Sequence, residues 1–450
     1  MRIRLDIPLS LSAIARAVGG TLLQNDAIIN AVCTDSREVS SGELFVALRG
    51  EHTDGNDFVD EVISKGAYAL GRSGASIFVY DTKEAILRLA EEYRSKLPCL
   101  RHTVAITGSV GKTTTKELTS RLLSGSYRVH STYGNFNNDL GIFHTVLSAK
   151  KDTEVLVIEM GMNHRGEISR LSRTARPDIA LITNVGTAHI GNLGTRAAIA
   201  AAKLEITDGM QDGVLLLPYG EPLFDAVEPK CAVSVNGNAG DYRLHVHGEG
   251  QGETVFSFTG INLLLENESV ALLGEHLMSA LAFALSAADT LGVTADKIRP
   301  ALASINEAAL RQRRIKIGRY DIYDDTYSSS AEAVIAVIKA LTNRHEGGVS
   351  ALLGDMLELG RSSARLHRTV GEVAAKCKIR RLYLFGKFAG QIAEGALAGG
   401  MSKDCIFINE ELACPERTAR QIRESYGGEL LVVKASHAVH AERIYDFLKD

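Results

Sequence analysis

The run Gly108-Ser109-Val110-Gly111-Lys112-Thr113-Thr114 joins glycines, a lysine and hydroxyl side chains in an order suited to holding phosphate. It follows the β-branched apolar stretch His102-Thr103-Val104-Ala105-Ile106-Thr107 and opens a helix-forming segment. Successive backbone N–H groups and the helix dipole can then cradle the phosphates of a nucleotide. Lys112 would reach the β- and γ-phosphates, and the Thr113 hydroxyl would hold magnesium. Ile106 stands where the usual phosphate loop has its first glycine, so the loop is a shortened one. A bare turn is the competing reading. The strand before and the helix after favour nucleotide binding, with ATP as the expected ligand.

Glu159 directly follows Val155-Leu156-Val157-Ile158, a candidate buried parallel strand. It therefore lies at the carboxyl edge, where open α/β sheets place their ligands, and its oxygens suit magnesium. His189 comes a few residues past the strand-like Ile179 to Thr183, in Asn184-Val185-Gly186-Thr187-Ala188-His189, and is either a hydrogen-bonding group or a ligand. Lys203 falls in the helix former Ala200-Ala201-Ala202-Lys203-Leu204-Glu205-Ile206, where the residues alone suggest a solvated lysine paired with a neighbouring glutamate.

These residues need a scaffold, and the chain is long enough for three domains: 450 residues exceed one comfortable core. The formal net charge of -4 offers no basic field for nucleic acid. Neither a signal peptide nor a run of about 18 apolar residues is evident, which predicts a cytoplasmic protein without membrane insertion. Cys33, Cys99, Cys231, Cys377, Cys405 and Cys414 form no CxxC pair, so neither a zinc site nor a disulfide framework is expected. Residues 1–98 mix short strands with helices, for example the strand-like Glu43 to Leu48 and the helix-like Asp57 to Lys65. Residues 99–310 alternate strand and helix as a doubly wound sheet does, with a turn-rich insertion from Gly237 to Gly252. The alternation restarts over 311–450, with Tyr320 to Tyr323, Ser350 to Leu353, Leu382 to Phe385 and Leu430 to Val433 as strands.

The order and spacing of Thr107 to Thr114, Val157-Ile158-Glu159-Met160-Gly161, Thr183 to His189 and Ala202 to Ile206 resemble the Mur ligase family. Asp35-Ser36-Arg37, Gly42 to Gly50, Gly134-Asn135-Phe136-Asn137-Asn138 and Leu353 to Gly360 are most like the branch that adds D-alanyl-D-alanine to UDP-N-acetylmuramoyl-tripeptide. The resemblance runs from about residue 20 to 448. It implies an N-terminal domain for the nucleotide precursor, a central ATPase domain and a Rossmann-like C-terminal domain that closes over both. By it, Asp35, Ser36, Arg37, Asn135 and Asn137 bind the precursor, and Arg311 and Asp325 join the phosphate loop in binding ATP. It also makes Lys203 an N-carbamylated lysine, with Thr113 and Glu159 on one magnesium and His189 with the carbamate on a second. A monomer is expected. A sister ligase with another acceptor, a folate polyglutamate synthase and a nucleotide-binding scaffold without ligation are the alternatives. The last is motivated by Ser328-Ser329-Ser330 after Asp325-Thr326-Tyr327, by Ala308-Ala309-Leu310 before Arg311, and by Lys434-Ala435-Ser436-His437, which depart from the family pattern.

Overall fold

A computed structural model describes residues 1–50, 52–250, 252–305, 313–326, 329–409 and 415–449. The architecture is α/β throughout, with one sheet in each third of the chain. The first sheet has six strands, in the order Arg2–Ser10, Ile28–Cys33, Leu44–Val46, Tyr68–Gly71, Ile77–Phe78 and Thr21–Leu22. The expected helix from Asp57 is a 3-10 turn, Gly55–Phe58, running into a short helix, Val59–Ser64. The long helix of this region, Thr82–Ser95, is capped by Asp81, whose carboxylate accepts from the N–H groups of Lys83 and Glu84. Its apolar face, with Ile86, Leu89 and Tyr93, belongs to one continuous core with Phe143, Val146, Leu156 and Ile158, so first and second domains share buried apolar surface.

The central sheet has nine strands in the order Leu264–Val270, Glu253–Thr259, Tyr242–Gly250, Cys231–Val235, Val214–Pro218, Ile179–Ile182, His102–Thr107, Val155–Glu159 and Val129–Ser131. From Tyr242–Gly250 to Val129–Ser131 all neighbours are parallel, and the last two strands toward the other edge are antiparallel. The turn-rich insertion is thus a hairpin that extends the doubly wound sheet. Strand His102–Thr107 lies between Ile179–Ile182 and Val155–Glu159, and Val104, Ala105 and Ile106 are fully buried, as the uninterrupted apolar run requires. Helix Lys112–Ser124 covers one face through Leu118 and Leu122, which share a core with Leu277, Leu281 and Leu285 of the largely buried helix Glu275–Thr290.

The third sheet has the order Arg313–Ile317, Tyr320–Asp325, Leu430–Lys434, Val349–Leu353, Leu382–Phe385 and Ile406–Asn409, parallel except for the first strand. Its junction with the central domain combines Ile190, packed against the C-terminal core, with several polar contacts. The Glu332 carboxylate accepts from the Thr187 N–H (2.8 Å) and hydroxyl (3.1 Å), Arg344 pairs with Glu249 (2.7 Å), and the Gly191 N–H donates to the Glu358 carbonyl (2.9 Å). No helix among the described residues is long and apolar enough to cross a membrane. Cys33, Cys99, Cys231, Cys377 and Cys405 are free thiols, and Cys414 lies outside the described residues.

Candidate active site

Ile106 replaces the usual first glycine because the strand runs on through Thr107 and the turn begins only at Gly108. Gly108 has φ +154, and a β-carbon there would meet the Thr183 hydroxyl at 1.9 Å, so this position admits only glycine. Gly111, at φ +83, turns the chain into helix Lys112–Ser124, whose first-turn N–H groups have no intrahelical acceptor. Asn184 fixes the loop from the neighbouring strand end: its side-chain carbonyl accepts from the Val110 N–H (2.9 Å) and its amide donates to the Val110 carbonyl (2.8 Å). The Ser109 hydroxyl accepts from the Gly186 N–H (2.9 Å). Lys112 folds back to donate to the Gly108 carbonyl (2.9 Å). Desolvation lowers its pKa, and the Glu159 carboxylate opposes that shift. Thr114 is half-buried in the first helical turn.

Glu159 ends its strand 2 % exposed. Its two oxygens accept from the Thr113 hydroxyl and the Asn137 amide, each at 2.8 Å, and its N–H donates to the Thr132 hydroxyl (3.0 Å). Two hard oxygen donors, Thr113 and Glu159, thus meet beside a helix N-terminus. That is the chemistry of a magnesium ion that keeps its remaining places for phosphate and water. Among the described residues no cluster of three or more His, Cys, Asp or Glu side chains supplies a complete cage.

Lys203 is 2 % exposed on helix Arg196–Leu204, so the solvated, ion-paired lysine is not what the fold builds. The neighbouring Glu205 instead accepts from the Gly166 N–H through both oxygens, each at 2.8 Å. Desolvation, and then the Lys112 ammonium, push the Lys203 pKa well below its ordinary value. His189 adopts φ +63, and its Nδ1 makes a very short contact with the Glu358 carboxylate. The structure therefore engages this ring with the C-terminal domain. The Glu358 carboxyl is held below its usual range by that histidine.

The precursor candidates divide. The Arg37 guanidinium makes two hydrogen bonds to Asp35 (2.9 and 2.6 Å), the Asp35 carboxylate also accepts from the Arg37 N–H (3.0 Å), and the Ser36 carbonyl accepts from Lys65 (3.1 Å). This is a self-contained surface turn, with Asp35 held well below the carboxylate range by Arg37. Asn135 is exposed. Asn137 belongs both to Glu159 and to a cleft of about 640 Å³ between the first and second domains. Arg49, Thr53 and Lys83 line that cleft from one side, and Asn137, Asn163 and Arg170 from the other. Asp325 accepts from the buried Lys434 (2.6 Å), and Ser330 caps helix Ala331–Thr342 by accepting from the Ala333 N–H. Arg311, Tyr327 and Ser328 lie outside the described residues.

Sequence reasoning missed Thr132, Arg49, Lys83, Arg170 and Glu332. Arg49 falls within the Gly42 to Gly50 motif, whereas Thr132 and Glu332 carry no local signal, because their partners are 27 and 145 residues away.

Family models match residues 28–110 (Mur ligase family, catalytic domain), 106–288 (Mur ligase middle domain) and 310–437 (Mur ligase, glutamate ligase domain). The chain is 37% identical to UDP-N-acetylmuramoyl-tripeptide–D-alanyl-D-alanine ligase of Bacillus subtilis, covering 96% of each chain. It is 32% identical to the enzyme of that name from Escherichia coli, over 87% of this chain and 89% of the other. Among solved structures, MurF from Acinetobacter baumannii superposes with a TM-score of 0.88 at 28% identity, covering 100% of both chains. The Thermotoga maritima MurF ligase in complex with ADP gives 0.77 at 29%, over 93% of this chain and 96% of that one. The three domains, the shortened phosphate loop and these likenesses agree: the chain belongs to the Mur ligase family.

Proposed function

We propose that this protein joins D-alanyl-D-alanine to UDP-N-acetylmuramoyl-tripeptide with hydrolysis of ATP to ADP and phosphate, in the cytoplasmic synthesis of peptidoglycan precursors. The observation that carries the reading is the phosphate loop with Lys112, Thr113 and Glu159 gathered at one sheet edge, beside the cleft that Asn137 shares. We take residues 1–98 as the precursor domain, 99–310 as the ATP domain and 311–450 as the ligase domain. Gly108, Ser109, Val110, Gly111, Lys112, Thr113 and Thr114 hold the phosphates, and Arg311 and Asp325 approach the nucleotide from the C-terminal domain. Asp35, Ser36, Arg37, Asn135 and Asn137 serve the precursor.

The terminal tripeptide carboxylate attacks the γ-phosphorus, which breaks the bond to ADP and forms an acyl phosphate. Lys112 stabilises charge on the transferred group. The dipeptide amine then adds to the activated carbonyl, and collapse expels phosphate and leaves the amide. Thr113 and Glu159 would hold a magnesium ion, which when bound would supply charge neutralisation at the phosphates. Desolvation, and then the Lys112 ammonium, favour the neutral amine of Lys203, the form that adds carbon dioxide. The carbamate would offer oxygens to a second magnesium, shared with His189 after it leaves Glu358. The junction with the third domain, with Ile190 among polar pairs, can part and reform more readily than the continuous apolar core of the first two, and closure would keep water from the acyl phosphate.

Purified protein given ATP, UDP-N-acetylmuramoyl-tripeptide and D-alanyl-D-alanine should release phosphate only with both acceptor substrates present. The product should be heavier by the dipeptide less water. Turnover with another amino acid in place of the dipeptide would redirect the reading to a sister ligase.

A further inference from the structure

Lys116 is 0% exposed, one turn beyond Lys112 on the phosphate-loop helix, at a position where the packing of that helix calls for an apolar side chain. A buried ammonium is retained only with partners that compensate its lost hydration. Its amine donates to the Thr132 carbonyl (2.7 Å) and pairs with Glu117 (2.8 Å), whose side chain is 31% exposed. Thr132 is itself buried and is tied twice to the strand that ends in Glu159: its N–H donates to the Val157 carbonyl (3.0 Å) and its hydroxyl accepts from the Glu159 N–H (3.0 Å). The segment that begins at Thr132 then delivers Asn137 to the Glu159 carboxylate.

We propose that Lys116 and Thr132 are positioning residues for the metal-binding carboxylate. Lys116 clamps the segment after strand Val129–Ser131 to the phosphate-loop helix, so Glu159 is held from its backbone through Thr132 and from its carboxylate through Asn137. Thr113 and Lys116 leave the same helix one turn apart, hence the helix that supplies one oxygen ligand also fixes the other. Among the described residues no hydrogen bond or ion pair joins Glu159 to Lys116, and the effect travels through Thr132. The proposal rests on the reading that Glu159 holds the divalent ion.

The test is manganese titration in the presence of a non-hydrolysable ATP analogue, with free manganese read by electron paramagnetic resonance. Lys116→Met and Thr132→Val, each verified as folded by circular dichroism, should weaken manganese binding about tenfold, as loss of outer-shell support does. Thr132→Ser, which keeps the hydroxyl, should restore it. Analogue binding without metal should stay within twofold of wild type. Wild-type manganese affinity in both folded variants, with Glu159→Gln weakened, overturns the positioning role alone. An unchanged affinity in Glu159→Gln as well removes the Glu159 assignment and the proposal with it. Should Lys116→Met fail to fold, Thr132→Val and Thr132→Ser decide the matter by the same readings.

Discussion

Two lysines of the central domain are equally hidden and oppositely placed. Lys116 has a carbonyl and a carboxylate within hydrogen-bond reach and holds one segment of chain to another. Lys203 is buried with another cation, Lys112, as the charge acting on it, and its glutamate neighbour is engaged elsewhere. The difference teaches that burial alone does not define a lysine's work. A buried lysine with a carbonyl and a carboxylate in reach can organise structure, while burial, and then a like charge, push another toward the neutral amine, which is a nucleophile.

Lys112 is the positive neighbour that adds to desolvation at Lys203, and replacing it has the largest expected effect. Lys112→Ala should lower ATP turnover by about 10³-fold, since it removes a donor aimed at developing charge; turnover near wild type would remove the phosphate-loop assignment. Lys203→Ala should reduce ligation by about 10²-fold, the scale of losing a metal's support, and a small carboxylic acid should restore part of it. An equal effect of the acid on wild type would break the distinction between the lysines.

Stability sharpens the comparison further. Because the folded Lys203 pKa lies below that of the unfolded chain, the unfolded state binds more protons between those two values. The Lys203 contribution to wild-type stability should therefore rise with pH up to about 10.4. In bicarbonate-free buffer, Lys203→Met should be more stable than wild type near neutral pH by about 1–4 kcal/mol, converging toward pH 10. Lys116→Met should instead be less stable by about 1–3 kcal/mol at every pH in that range, because the Thr132 carbonyl loses its donor. Denaturant titrations at pH 7 and 10 read both. Smallest of all, Arg37→Ala should leave the melting temperature unchanged, since its pair with Asp35 is solvent-exposed, while weakening the precursor if that turn binds it.

Much of this was legible in the sequence. The strand-loop-helix order of residues 102–124 was readable, and the all-apolar run before Glu159 put that carboxylate at the carboxyl end of its strand. Lys203 was misleading on its residues alone: a lysine next to a glutamate in an alanine-rich helix reads as solvated, and only packing shows that it faces inward. Likewise Asn137, expected at the precursor, also supports Glu159, a contact across 22 residues that no periodicity encodes. Glu332 and Thr132 were invisible for the same reason, as each acts on a segment brought to it by the sheet topology. The C-terminal departures proved partly structural, with Ser330 capping a helix and Lys434 pairing with Asp325.

The most direct test of the account follows one oxygen atom. With both oxygens of the terminal carboxylate of UDP-N-acetylmuramoyl-tripeptide labelled with ¹⁸O, and with unlabelled ATP and D-alanyl-D-alanine, the account predicts that each phosphate released carries one ¹⁸O. That oxygen bridges carbon and phosphorus in the acyl phosphate and departs with the phosphate. Unlabelled phosphate accompanying ligated product would contradict it.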